Sequence, residues 1–266
     1  MMNKPSPSLP LARPFMLIVI LVLTVGSFGL YFFPAWTVER WPWTLPPFHT
    51  RFLGAVYLSE FAAVLILLLT NRWAPARLSL PVAVSFTFIV SAASFMHLDQ
   101  WDFTRRTVWL WFILYVVSLF ISAFLFWHYR REPENASPTS PLWRNILIGQ
   151  AILYGLYGVG LLLAPEMLGS FWPWKIDAFH GNLYSSVFIS GALGNLMLAR
   201  VAARIEYLTL GLSQFALGFF AILGLFIVDA QVHRVDWANP GVYLWLGMFA
   251  VLTFVGSGLI VKARSR

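Results

Sequence analysis

Eight apolar runs of about twenty residues each decide most of what this chain can become. A helix needs roughly 20 such residues to cross the hydrocarbon layer of a membrane. The runs cover about 15–33, 52–70, 80–98, 107–127, 146–164, 183–199, 207–228 and 241–261. They are long and continuous, whereas the strands of a membrane barrel are shorter and alternate in polarity. The expected fold is therefore all-α, a polytopic membrane helix bundle with eight transmembrane helices. Composition agrees. Only 11% of residues are charged and 59% are hydrophobic, against about 25% charged in soluble domains, so lipid is the natural solvent. The absence of cysteine removes disulfides, thiolate metal sites, cysteine nucleophiles and iron–sulfur clusters. Lys4 and Arg13 precede the first run as they would a signal peptide. That run is full length, however, and "YFFPAW" follows it in place of a small-x-small cleavage site, so it reads as a retained span.

The second constraint is a repeated phrase. Trp41-Pro42-Trp43 recurs as Trp172-Pro173-Trp174, and Phe48-His49 as Phe179-His180, both at an offset of 131. Gly29 and Pro34 pair with Gly160 and Pro165 at the same offset. Later the offset becomes 136, where His97 pairs with His233 and Trp101 with Trp237. The change requires five extra residues in the second copy. We read the chain as two copies of a four-span unit, 1–131 and 145–266, joined by a cytoplasmic linker at 132–144. Four is even, so the copies are parallel repeats related by an axis along the membrane normal.

Basic residues orient the bundle. Twelve Lys and Arg fall on the side of the termini and the 2–3, 4–5 and 6–7 loops. Six fall opposite: Arg40, Arg51, Arg105, Arg106, Lys175 and Arg234. The basic-rich side is expected to be cytoplasmic, with both termini inside a bacterial plasma membrane. The pattern WPW-x-L-x-x-FH-x-R-F-L-G-A resembles multi-span bacterial membrane proteins, and that resemblance implies no particular activity. The sequon at Asn135 would lie inside, where glycosylation does not occur.

The outer face is then rich in Trp and His. Trp41, Trp43, Trp172 and Trp174 are expected as interface anchors, since indole is apolar with one N–H that wants a partner. An aromatic wall for a ligand is the alternative. His49, His97, His180 and His233 cap adjacent helix ends. With Asp99 or Asp102 they have the chemistry to bind zinc or copper, or to act as axial haem ligands. Against this, no close-spaced ligand motif such as HxxxH exists, and the plainer role is hydrogen bonding to loop carbonyls or carboxylates. No motif calls for a cofactor.

One residue breaks both the lipid rule and the repeat. Glu60 lies nine residues beyond Arg51, about 14 Å along a helix and close to the bilayer centre. Its counterpart is Gly191. A charge there costs several kcal/mol unless paired or hydrated, and no Lys or Arg lies at matching depth. Glu60 is expected to be neutral and hydrogen-bonded between helices, or to face an aqueous path for protons or cations. Asn195 and Gln150 are further amides within spans, with Asn195 in a "SGALGN" stretch suited to close helix packing.

No P-loop, GxSxG motif or soluble stretch able to hold a separate catalytic domain is present, and no enzyme activity is expected. Three readings remain: a small-solute or ion permease with a path between the two repeats; a non-catalytic scaffold or subunit binding lipid, a protein partner or a second copy; and a redox or metal protein using the outer histidines. Nucleic acid is not an expected partner, because the net charge of +7 reports membrane orientation here.

Overall fold

Proline sets the helix starts. Five helices carry Pro at their first position, where its missing N–H is no loss and its fixed φ suits the helix. A computed structural model describes residues 7–132 and 136–265; Lys4, Asn135 and Arg266 lie outside the described residues. The elements are α1 (Ala12–Phe32), α2 (Pro34–Val38), α3 (Pro47–Thr70), α4 (Trp73–Met96), a 3₁₀ turn (Leu98–Gln100), α5 (Arg106–Tyr129), β1 (Ser137–Pro138), α6 (Pro141–Leu163), α7 (Pro165–Gly169), α8 (Ala178–Arg200), β2 (Val201–Ala202), α9 (Arg204–Val232) and α10 (Pro240–Arg264). Asn71 and His233 close α3 and α9 in the left-handed conformation. Most of the long helices begin before their apolar runs, α4 by seven residues, because the first turn tolerates polar residues and proline that a hydropathy reading skips.

Among the described residues, seven helices are long and apolar enough to cross a membrane, rather than the expected eight. The exception is α8. It carries Asn182, Ser185, Ser186, Ser190 and Asn195, all buried inside the protein. A helix enclosed by its neighbours is not held to the composition that lipid demands of an exposed one.

The long helices pack in two rows. In one, α1 lies on α3, α3 on α9 and α9 on α10; in the other, α5 lies on α4, α4 on α8 and α8 on α6. Each row thus mixes helices from both halves of the chain. Cross-row contacts join α3 to α4 and α9 to α8. The four inner helices hold most of the buried side chains. The four end helices show apolar residues such as Leu17, Phe120, Leu156 and Phe254 to the outside, as a lipid-facing helix should. The linker is tied down by a short antiparallel ladder of Ser137–Pro138 on Val201–Ala202.

The α9–α10 seam is closed by glycine. A methyl group at Gly256 would fall 2.7 Å from the Gly211 carbonyl oxygen, among backbone atoms that cannot step aside, whereas Gly247 on the same helix faces open space. Gly256→Ala is expected to lower stability by about 1–3 kcal/mol through overpacking. Gly247→Ala should be neutral or slightly stabilising. Thermal unfolding of the two variants in detergent checks the contrast.

Candidate functional site

The two WPW phrases turn inward over the mouth of the bundle. Trp43 and Trp172 are almost fully buried, and Trp41 and Trp174 pack against the same core. Anchors at the headgroup layer were expected. Burial of two indoles is feasible because each N–H finds a protein partner: Trp43 Nε1 donates to His180 Nε2 at 3.1 Å, and Trp172 Nε1 to the Tyr157 hydroxyl.

The histidines are brought together differently from their order in the sequence. His49 and His180, the repeat-related pair, meet with ring centroids 4.0 Å apart, and both are buried. Their partners fix their tautomers. The Lys175 carbonyl oxygen can only accept, so His49 donates from Nε2 at 3.1 Å, and its Nδ1 accepts from the Tyr184 hydroxyl at 2.8 Å. His180 accepts at Nε2 from Trp43 and therefore donates from Nδ1 to Asp177 at 2.8 Å. Burial would raise the Asp177 carboxyl, but hydrogen bonds from the His180 ring and backbone N–H, with the nearby imidazoles, hold it down at about 2. All four ring nitrogens are thus engaged with the protein.

His97, at the end of α4, meets Asn182 of α8 instead of His49. The Asn182 amide nitrogen donates to the Leu161 and Leu162 carbonyls, so its oxygen accepts from His97 Nε2 at 2.8 Å. His233 is exposed beyond α9. Asp99 and Asp102 are exposed as well, and Asp102 is spent on Thr104, whose hydroxyl and N–H hold its carboxyl below the usual range. Among the described residues, no group of three or more His, Asp or Glu side chains is arranged to hold a metal ion.

Beneath this cap lies a cavity of about 740 Å³. It sits between the two rows, lined by α1, α3 and α9 on one side and α5, α4 and α8 on the other. Glu60 lines it, and so does Gly191, whose missing side chain borders open space. No hydrogen bond or ion pair engages the Glu60 carboxyl among the described residues, and the group is only partly covered. Three residues earlier, Tyr57 bonds the Tyr115 hydroxyl at 2.8 Å, and both tyrosines line the cavity near Glu60. Asn195 also lines it and accepts at 2.8 Å from Gln214 on α9. The Asn195 amide nitrogen and the Gln214 amide oxygen are buried without partners. Gln150 is buried on α6, away from the cavity.

The two ends of the rows differ. At the α6–α10 end the Tyr154 hydroxyl donates to the Met248 carbonyl, and Trp143 fills the space beside Gly258. At the α1–α5 end the bridges among the described residues lie only at the two extremes: the Leu11 N–H donates to the Tyr129 hydroxyl at 3.4 Å, and Arg105 to the Glu39 carbonyl at 2.8 Å. At the same end Ile18, Leu21 and Val25 of α1 and Leu110 and Ile113 of α5 line the cavity while each is more than half exposed. The cavity therefore opens sideways, toward the surface that lipid would cover.

Sequence reasoning missed Gln214, Asn182, Tyr184 and Glu206. Gln214 and Asn182 were visible as amides in or beside spans. Tyr184 stands where the repeat has Leu53, a mismatch that marks the asymmetry of the histidine pair. Compared with known protein families, with curated proteins and with solved structures, the chain matches none.

Proposed function

We propose that this integral membrane protein is a permease whose path runs through the cavity between the two helix rows, with Glu60 as the group that meets the solute or its coupling ion. The observation that carries this reading is a carboxyl, unpartnered among the described residues, that lines a cavity of about 740 Å³ midway along α3. Intramembrane acids that face a cavity mark ion or substrate pathways by default.

The fold proposal goes with it: eight spans, α8 included, as two parallel repeats with both termini in the cytoplasm of a bacterium. Several features support the duplication. α2 and α7 begin 131 residues apart, as do α3 and α8. α9 has 29 residues and α4 has 24, which accounts for the five extra positions. The packing pairs α1·α3 and α6·α8, α4·α5 and α9·α10, α3·α9 and α8·α4 correspond under exchange of the two copies. The apolar walls of the cavity also favour a second reading, a lipid-binding scaffold that moves nothing.

Proteoliposome flux separates them. Glu60→Gln is expected to cut proton- or cation-linked flux at least tenfold with the fold intact, because the substitution removes the charge and breaks no hydrogen bond. Wild-type protein that carries no proton, monovalent cation or small-solute flux, or a Glu60→Gln variant that carries it unchanged, would rule out the permease and leave the scaffold.

A further inference from the structure

From the cavity we infer a ligand class: the protein binds a lipophilic organic cation, an ammonium or phosphonium head with an apolar body, that enters sideways from the bilayer between α1 and α5. The inference deepens the permease reading and rests on the same cavity.

Charge comes first. Glu60 offers a carboxyl with no ion pair among the described residues; Arg40, which also lines the cavity, pairs with Glu39 instead. In so apolar a site a carboxylate is stable only if a counter-charge arrives with the ligand. A hydrated inorganic ion would have to shed water against walls of Val, Leu and Ile with few oxygen ligands to replace it. An organic cation arrives already dressed in carbon.

Aromatic geometry comes second. Trp41, Tyr57, Trp111 and Tyr115 all line the cavity. Trp41 stands 6.0 Å from both Tyr57 and Trp111 by ring centroids, and Trp111 stands 4.3 Å from Tyr115. Tyr57 and Tyr115 lie near the Glu60 carboxyl, and Trp41 and Trp111 continue the same aromatic wall, which can hold an alkylated ammonium head through cation–π attraction. Of the two tyrosine hydroxyl protons, one is used in the Tyr57–Tyr115 bond and the other meets no acceptor among the described residues. An anion would meet the Glu60 carboxylate and the negative ring faces, and is disfavoured twice.

Access comes third. A polar solute would have to cross the Ile18–Leu21–Val25 and Leu110–Ile113 rims, whereas an amphiphile already in the leaflet finds them as continuous with its solvent. The volume lies within the range of pockets that enclose a small organic molecule. Gly191 leaves free the space that a side chain on α8 would fill opposite Glu60.

Equilibrium dialysis of tetraphenylphosphonium against the protein in lipid nanodiscs tests this, with empty nanodiscs subtracted. Saturable binding is expected, displaced by dodecyltrimethylammonium and not by dodecanol or dodecyl sulfate. Glu60→Gln should weaken it at least tenfold. Gly191→Phe, which puts a ring into the cavity and keeps the carboxyl, should weaken it as well. No saturable binding, equal displacement by dodecanol, or unchanged affinity in both variants would overturn the inference. Binding without any flux would sink the permease reading and leave this one standing. Glu60-dependent proton or cation flux without tetraphenylphosphonium binding would do the reverse.

Discussion

Arg77→Ala is expected to destabilise the protein by about 3–5 kcal/mol, among the largest losses for any single substitution here. Arg77 of α4 forks onto Glu206 of α9 with two hydrogen bonds, Nε to Oε1 at 2.9 Å and Nη2 to Oε2 at 2.7 Å. Glu206 is buried, with only 2% of its side chain exposed. Removing Arg77 takes away the charge that balances this buried carboxylate, and the cost of breaking a buried pair is chiefly the unbalanced charge. Glu206 also reaches back to the Ala203 N–H at 2.6 Å, in the first turn of α9, where a negative charge suits the exposed amides. Glu206→Gln keeps a hydrogen-bond acceptor there and removes the charge, so its loss should be smaller. The double change Arg77→Met with Glu206→Met should recover most of the deficit, because packed apolar residues replace buried ion pairs at little cost. Equilibrium unfolding in mixed micelles of Arg77→Met, Glu206→Met and the double closes the cycle. Additive losses would show that the pair does not act as a unit.

That ion pair also shows where the sequence stops speaking. Its partners stand 129 residues apart. Each stands near the start of its own helix, and only the packing of the two rows brings the starts together. The apolar runs, by contrast, announced the long helices directly, and proline explains where their starts move. α8 was legible as a helix because it is apolar enough to show a run. Its serines and asparagines then mark it as enclosed. The asymmetry of Glu60 against Gly191 was readable from the repeat alone. The cavity that gives the asymmetry its meaning was not, because a void belongs to the arrangement of six helices and to no residue in particular. The histidines fall between these cases. Adjacent spans suggested that His49 would meet His97, and the repeat carried the other answer. In a bundle where α3 packs mainly on α1 and α9, His49 meets His180 of α8, and His97 of α4 meets Asn182.

The outer cap supplies the second large effect, because the repeat makes its own control. Trp43→Ala is expected to cost about 3–5 kcal/mol, the usual loss for emptying a buried tryptophan site. The indole sits 4.8 Å from Trp111, 5.3 Å from Trp101 and 5.4 Å from Phe179 by ring centroids, so no neighbour can collapse into the space without breaking its own contacts. Trp43→Phe keeps most of that packing but removes the N–H that donates to His180 Nε2, which leaves a buried acceptor unpaired at about 1–3 kcal/mol. The repeat-related Trp174→Phe should cost less. Trp174 stacks on Phe48 and packs against Trp245, but its N–H has no hydrogen-bond partner to lose. Thermal unfolding of the two Phe variants reads the difference, and nitrogen NMR of His180 supplies a readout that packing alone would not move. In the parent protein Nδ1 carries the proton toward Asp177 and Nε2 accepts. In Trp43→Phe the proton stays on Nδ1, held by Asp177, but Nε2 loses the indole N–H and its resonance should shift toward that of a free acceptor nitrogen; in Trp174→Phe the spectrum should stay as it was. Equal losses in the two variants, with the His180 Nε2 resonance unchanged in both, would mean that Trp43 serves only as bulk and makes no hydrogen bond to the imidazole at the mouth of the bundle.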